Sequence, residues 1–171
     1  TYSFSGGDIS GATAATGNNP RSDGILTVKS GGNATFANRL DFSGGVAINN
    51  GGILKLAQGG AFADNMGIVN AGELIVENTA AQTISNVVTG TGNFTKTGDG
   101  ALTLSGVQAY AGTTSISGGT LFISAANGLQ ESSHILLSNT GSKLVVGNNQ
   151  TFKDVTVGAG AEIDMANYAM A

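Results

Sequence analysis

Residues able to do chemistry are few in this chain, and their spacing offers little chemistry to do. Its one histidine, His134, sits in Glu131-Ser-Ser-His-Ile-Leu-Leu-Ser138, beside Ser132 and Ser133 and directly before an apolar run. A nucleophilic serine needs a base and a sharp turn that exposes it beside oxyanion donors, and neither Gly-x-Ser-x-Gly nor Gly-Asp-Ser-Gly occurs. His134 therefore reads as an outward residue at the start of a strand, and its replacement is expected to leave the activity of the chain unchanged. Zinc wants three or four ligands, and one histidine with no cysteine does not supply them. Of the carboxylates, Glu73 and Glu77 share one face of a strand, where stacked neighbours could place them near Lys55 or Asp99. Paired carboxylates along a groove are what glycan-cleaving enzymes use, but scattered acids are also what keeps exposed strands from associating laterally. The second reading is preferred, and Asp99 in Thr97-Gly-Asp-Gly-Ala-Leu102 is read as a turn residue. The expectation is no enzyme, no metal and no cofactor.

Glycine-rich stretches such as Gly90-Thr-Gly92 and Gly98-Asp-Gly100 do not precede a helix that could receive a phosphate, and no Gly-Lys-Ser/Thr follows them. Seven basic residues stand singly against eleven acidic ones, giving a net charge of −4. No basic patch is present for nucleic acid. No run approaches the ~20 apolar residues of a membrane helix, so no direct membrane insertion is expected. The chain opens at Thr1 and reads as a piece of something longer.

If little is positioned for catalysis, the elements themselves are the message. The 171 residues include 28 glycines and one proline, with 40% hydrophobic and 11% charged side chains. Such a chain is too apolar for disorder, and its glycines keep no three-residue period. A template Gly-x-Leu-x-aliphatic recurs at Gly24/Leu26, Gly52/Leu54, Gly72/Leu74, Gly100/Leu102 and Gly119/Leu121, with looser copies at Gly141/Leu144 and Gly160/Ile163. Successive template glycines lie 28, 20, 28, 19, 22 and 19 residues apart. In Glu73-Leu-Ile-Val-Glu77 apolar residues alternate with polar ones, the period of a strand with one buried face. Further strands are predicted at Thr114–Ile116, Ile135–Leu137 and Val155–Val157, joined by Gly-Gly, Asn-Gly, Asn-Asn and Asp-Gly corners. Asn70, Asn127, Asn139 and Asn148 are the candidates for corner positions.

Two or three short strands per twenty-odd residues, repeated along the chain, describe either a sandwich of hairpins or the coils of a solenoid. Stacked coils are favoured, because one coil cannot bury both ends of its small apolar set, whereas a stack makes a continuous core. The template leucines are expected to lie above one another in a parallel stack. The whole of residues 1–171 then forms one domain, with 1–23 as a capping or irregular entry.

The segment Gly92-Asn-Phe-Thr-Lys-Thr-Gly-Asp-Gly-Ala-Leu-Thr-Leu-Ser-Gly106, continuing through Tyr110-Ala-Gly-Thr-Thr-Ser-Ile-Ser-Gly-Gly-Thr-Leu121, resembles the passenger-associated repeat of bacterial autotransporters. That repeat runs G-x-L-x-K-x-G-x-G-x-L-x-L-S-G, a Tyr, then G-x-T-x-I-x-x-G-x-L, and Phe94 stands where the family has leucine. The resemblance implies a right-handed parallel β-helix with coils of about 19–28 residues, carried to the surface of a Gram-negative bacterium by a C-terminal translocator barrel of the same precursor. It further implies a scaffold or adhesin that meets a protein or glycan of a host or neighbouring cell. Two other readings stay open: a passenger piece of a toxin or enzyme whose active domain lies elsewhere, and a surface fibre whose copies stack end to end.

Overall fold

The computed structural model describes the backbone of residues 3–5, 9–10, 21–22, 24–129, 131–132 and 134–165, with side chains from residue 24 onward. No helix occurs among the described residues. Short strands alternate buried and outward side chains, as in Ile53–Leu56 and Thr120–Ile123. They assemble into three faces of a parallel β-solenoid.

Face A runs the full height. Strands Asn33–Phe36, Ile53–Leu56, Glu73–Glu77, Asn93–Thr97, Thr113–Ile116, His134–Leu137 and Val155–Val157 pair in parallel, and their order marks seven coils. One inward column of this face is Ala34, Leu54, Leu74, Phe94, Thr114, Ile135 and Val155, so each coil takes 20 residues except a single step of 21. Face B stacks Leu26–Val28, Val46–Ile48, Ile68–Asn70, Val88–Gly90 and Ala109–Tyr110. Face C is split. Arg39–Phe42 pairs with Ala61–Phe62, and a separate ladder then runs through Gln82–Ile84, Ala101–Leu104, Thr120–Ile123, Lys143–Val146 and Glu162–Asp164. Across the split, Gln82 Nε2 donates to the Gly60 carbonyl at 2.8 Å, a side-chain bond where the ladder bonds stop.

This arrangement settles the sequence pattern in favour of the solenoid. Strands Ala101–Leu104 and Thr120–Ile123, which a hairpin would make antiparallel, are parallel neighbours. The template leucines do not form one stack, however. Leu26 lies on face B, Leu54 and Leu74 are direct partners on face A, and Leu102, Leu121 and Leu144 are direct partners on face C. The reason is geometric: each coil turns three corners, and a glycine corner followed by an inward leucine fits any of them. The 28-residue intervals are thus one coil of 20 plus a shift of 8 to the next face, as from Leu26 to Ala34.

Residues 1–23 lie largely outside the described residues. Within them, Ser3–Ser5 pairs antiparallel with Asn33–Phe36 and Ile9–Ser10 antiparallel with Leu26–Val28, while Arg21–Ser22 runs parallel to Arg39–Phe42.

The core is the set of inward columns. All seven of Leu26, Leu54, Leu74, Leu102, Leu121, Leu144 and Val146 are fully buried. At the corners, backbone must pass backbone closely. Gly52, Gly72, Gly92 and Gly112 repeat at 20-residue intervals on the corner between faces B and A, and a Cβ on Gly72, Gly92 or Gly112 would run into the carbonyl of the glycine one coil before. Only glycine fits such a ladder.

Candidate functional site

The corners also hold the buried polar side chains. In the third coil Asn70, Asn78 and Asn86 stand eight residues apart, one at each corner, and all three are buried. Asn70 Oδ1 accepts from Gly72 N and its Nδ2 donates to the Asn93 carbonyl in the next coil. Asn78 Nδ2 donates to Ala80 and Ala101 carbonyls, and Asn86 Nδ2 to those of Ala63 and Met66. Gln108 continues the series: its Nε2 donates to Asn86 and Gly106 carbonyls while its Oε1 accepts from Val88 N. These amides replace ladder bonds where the chain bends, so buried backbone groups keep partners. Of the expected corner asparagines, Asn127 takes the left-handed conformation at φ 53°, as does Asn65, which was not expected, at φ 62°. Asn139 binds the Ser117 carbonyl and Asn148 caps Asn149 N.

The residues with chemical potential are dispersed on the outside. His134 opens its strand on face A, half-buried, with Nε2 2.9 Å from Thr156 Oγ1 and 3.8 Å from Asp154 Oδ2. Both contacts fall on one ring nitrogen, whereas a triad base holds its carboxylate on one nitrogen and its nucleophile on the other. Ser132 faces inward, bonded to Thr114 Oγ1 and to the Gly112 carbonyl, and Ser133 lies outside the described residues. Glu77 pairs with Lys55 at 2.6 Å. Glu73 accepts from Thr95 Oγ1, one coil away. Asp99 acts by its charge on Lys96. Among the described residues no group of three or more His, Cys, Asp or Glu is placed to hold a metal.

Sequence reasoning missed Lys96. It occupies the inward column Phe36, Leu56, Val76, Lys96, Ile116 and Leu137, where every other member is apolar. Fully buried, it sends Nζ to the corner between faces A and C and donates to the carbonyls of Thr97, Gly98 and Gly118 at 2.8, 2.7 and 3.1 Å. Two of these acceptors belong to its own coil and one to the next, so the ammonium clamps two coils together. The signal was available in the sequence, since Lys96 lies 20 residues from Val76 and two from Phe94, both inward. Burial pulls its pKa down from 10.5 to about 8, with Asp99 opposing.

One coil further, Tyr110 fills the core. Its ring stacks on Phe94 with centroids 5.9 Å apart, and its hydroxyl lies 2.6 Å from Thr114 Oγ1, which in turn reaches Ser132. Thr114 is the polar member of an otherwise apolar column, and this hydroxyl chain is what satisfies it. Burial pushes the Tyr110 pKa upward, beyond its ordinary 10.0.

The two groups give a pH dependence whose sign can be worked out. Between pH 8 and 10.5 the unfolded chain keeps the Lys96 proton that the folded chain has released, so stability rises with pH over that window. Above pH 10 the unfolded chain loses the Tyr110 proton that the folded chain keeps, so stability falls. Unfolding free energies from urea titrations across the alkaline range are expected to climb by ~1–3 kcal/mol and then turn over. Lys96→Met should flatten the rise, and Tyr110→Phe the fall. A profile that declines steadily from neutral pH would contradict both assignments.

Among the described residues, hollows open on the surface of coils two to four. One of about 460 Å³ lies along the glycine ladder between faces B and A and is lined by Asn50, Ile53, Glu73, Thr91 and Asn93 among others. Smaller ones of about 170 and 270 Å³ flank the split in face C, beside Asn78 and beside Asn86.

Residues 94–122 match the family model described as passenger-associated-transport-repeat. No curated protein and no solved structure matches the chain significantly. The matched stretch runs from the face A strand of the fourth coil to the face C strand of the fifth, so it includes the Lys96 clamp, the Phe94–Tyr110 stack and the buried leucines of both coils. A parallel β-solenoid with a passenger-associated-transport-repeat at residues 94–122 is the make-up of an autotransporter passenger segment, and this chain fits that description.

Proposed function

We propose that this chain is a non-catalytic, surface-displayed scaffold or adhesin, a passenger segment exported through a C-terminal barrel of its own precursor and held outside a Gram-negative cell. The observation that carries the reading is where the repeat spends its residues. Lys96, Tyr110, Leu102, Leu104, Ile116 and Leu121 are all buried and given to coil stacking, which leaves the outward positions free of that constraint. A rod of stacked coils extends and displays, and contact with a protein or glycan of another cell falls to the outer surface. The polar hollow of Asn50, Glu73, Thr91 and Asn93, with about 460 Å³ of open space, offers room for such contact. Purified chain is expected to bind cultured host cells or members of a matrix and glycan array saturably, with Glu73→Ala weakening binding at the hollow. Binding no greater than that of an unrelated β-solenoid would refute the adhesin.

A second reading, a self-assembling fibre, is favoured by the last described coil. Val157 continues the inward column after Ile116 and Leu137, yet it is 47% exposed where they are buried. Another coil or another copy would cover it. Sedimentation of the same preparations over a wide concentration range separates the readings, since a fibre subunit grows in mass with concentration.

A further inference from the structure

Two Asn-Gly steps occur in the sequence, Asn50-Gly51 and Asn127-Gly128, and both are corners. They are held very differently. At the second, Asn127 N donates to the Asn149 carbonyl and the Gly128 carbonyl accepts from Gln108 N, which ties the step to the coils on either side. Gly128 is buried besides, with Ile123 packed where its Cβ would be. The first lies on an exposed turn between Val46–Ile48 and Ile53–Leu56, closed by Gly52 N donating to the Asn49 carbonyl. Gly51 takes φ 77° and its carbonyl accepts from Gly31 N, but among the described residues neither Gly51 N nor the Asn50 amide makes a hydrogen bond. Other asparagines of the corners, Asn70, Asn78 and Asn86, have their amides engaged and are followed by Ala, Thr and Val.

We infer that Asn50-Gly51 is a self-modification site, at which the folded chain deamidates through a succinimide in preference to every other asparagine. In the first step Gly51 N, losing its proton, forms a bond to Asn50 Cγ, and the Cγ–Nδ2 bond breaks. Nδ2 leaves as ammonia, carrying away that proton. Water then opens the five-membered ring. Cleavage of the Gly51 N–Cγ bond yields aspartate at position 50, while cleavage at the main-chain carbonyl yields isoaspartate, whose backbone runs through Cγ. No oxidant, metal or enzyme is required. Glycine favours the step because no side chain shields its nitrogen, and the exposed turn leaves the peptide free to rotate toward the amide.

The site gives the reaction consequences. Position 50 lines the hollow that also holds Glu73, so either product adds a carboxylate beside one already there. Isoaspartate also lengthens the main chain at a corner where Gly52 and Gly72 pass neighbouring carbonyls with no room for a Cβ. Ageing at this step should therefore loosen the second and third coils.

The test is to incubate the full chain in mildly alkaline buffer at body temperature and follow each asparagine by peptide mapping with mass spectrometry. Asn50 should convert at least about tenfold faster than Asn127, the factor that a local opening free energy of ~1.4 kcal/mol imposes on the tied step. In concentrated urea, where both steps are unfolded Asn-Gly, the two rates should converge. Asn50→Gln, which would need a six-membered ring, should keep its melting temperature through the incubation while the parent chain's falls. Asn127 reacting as fast as Asn50 in the folded chain overturns the inference, as does an Asn50 that persists while another asparagine is lost.

Discussion

Lys96→Ala is expected to lower the unfolding free energy by about 3–5 kcal/mol, a large share of the ~5–15 kcal/mol that holds a domain of this size. Two losses add. The stem of the side chain fills a column between Val76 and Ile116, and removing roughly three methylenes forfeits ~0.8 kcal/mol each. The carbonyls of Thr97, Gly98 and Gly118 lose a shared donor, at ~1 kcal/mol apiece for groups that water reaches poorly. Relief of the ammonium's own desolvation offsets part of this, which its lowered pKa makes visible. Lys96→Met separates the contributions, because it keeps the stem and removes only the donors; about 2 kcal/mol is expected. Lys153→Ala, on an exposed side chain, serves as the control and should change stability by under ~0.5 kcal/mol. Urea denaturation of the four chains decides. If both Lys96 variants match the control, the buried clamp contributes nothing and the assigned role is wrong.

The second large effect is expected at Leu102→Ala, about 2–5 kcal/mol, against under ~1 kcal/mol for its neighbour Thr103→Ala. Leu102 is fully buried on face C, between Gln82 in the coil before and Leu121 in the coil after. The cavity left by truncation cannot close, since backbone ladders on both sides fix the coil spacing at ~4.8 Å. The cost should therefore sit high in the usual range for leucine truncations. Thr103 points outward from the same strand and loses only surface contacts. Thermal unfolding of the two variants gives the comparison directly. Equal destabilisation would mean that the alternation along Ala101–Leu104 is not the burial pattern of a solenoid wall.

Much of this architecture can be read from the chain before any coordinates. Alternation in Glu73–Glu77, glycine corners and a repeat near twenty residues narrow the fold to a sandwich of hairpins or a solenoid and favour the solenoid, because stacked coils bury the small apolar set of each repeat; the parallel pairing of Ala101–Leu104 with Thr120–Ile123 then decides. Gly92 to Leu121 even carries its family resemblance in the order of its glycines, and residues 94–122 match the family model. What one sequence leaves degenerate is the phase. A three-cornered coil offers three equivalent places for Gly-x-Leu, so Leu26, Leu54 and Leu102 look alike although they lie on three different faces. Only the pairing register distinguishes them, and register is a relation between residues 20 apart rather than a property of either.

The candidate site divides along the same line. The dispersed acids and the solitary His134 are visible as composition, and the structure adds that His134 meets Thr156 and Asp154 through a single nitrogen. Lys96 reads as one more scattered surface cation until it is set in strand alternation with Phe94 and in register with Val76. Its inward phase can be read from the spacing to Phe94 and Val76, but what lets a lysine leave water there is decided by tertiary structure, because three carbonyls from two coils must converge on it. The split in face C has the same origin. Gln82 is a polar residue in a strand pattern, and its bond to Gly60 exists only because the third coil settles over the second with its ladder interrupted. Strand, corner and repeat follow from short-range sterics and burial. Phase, the buried clamp and the seam follow from how whole coils rest on one another.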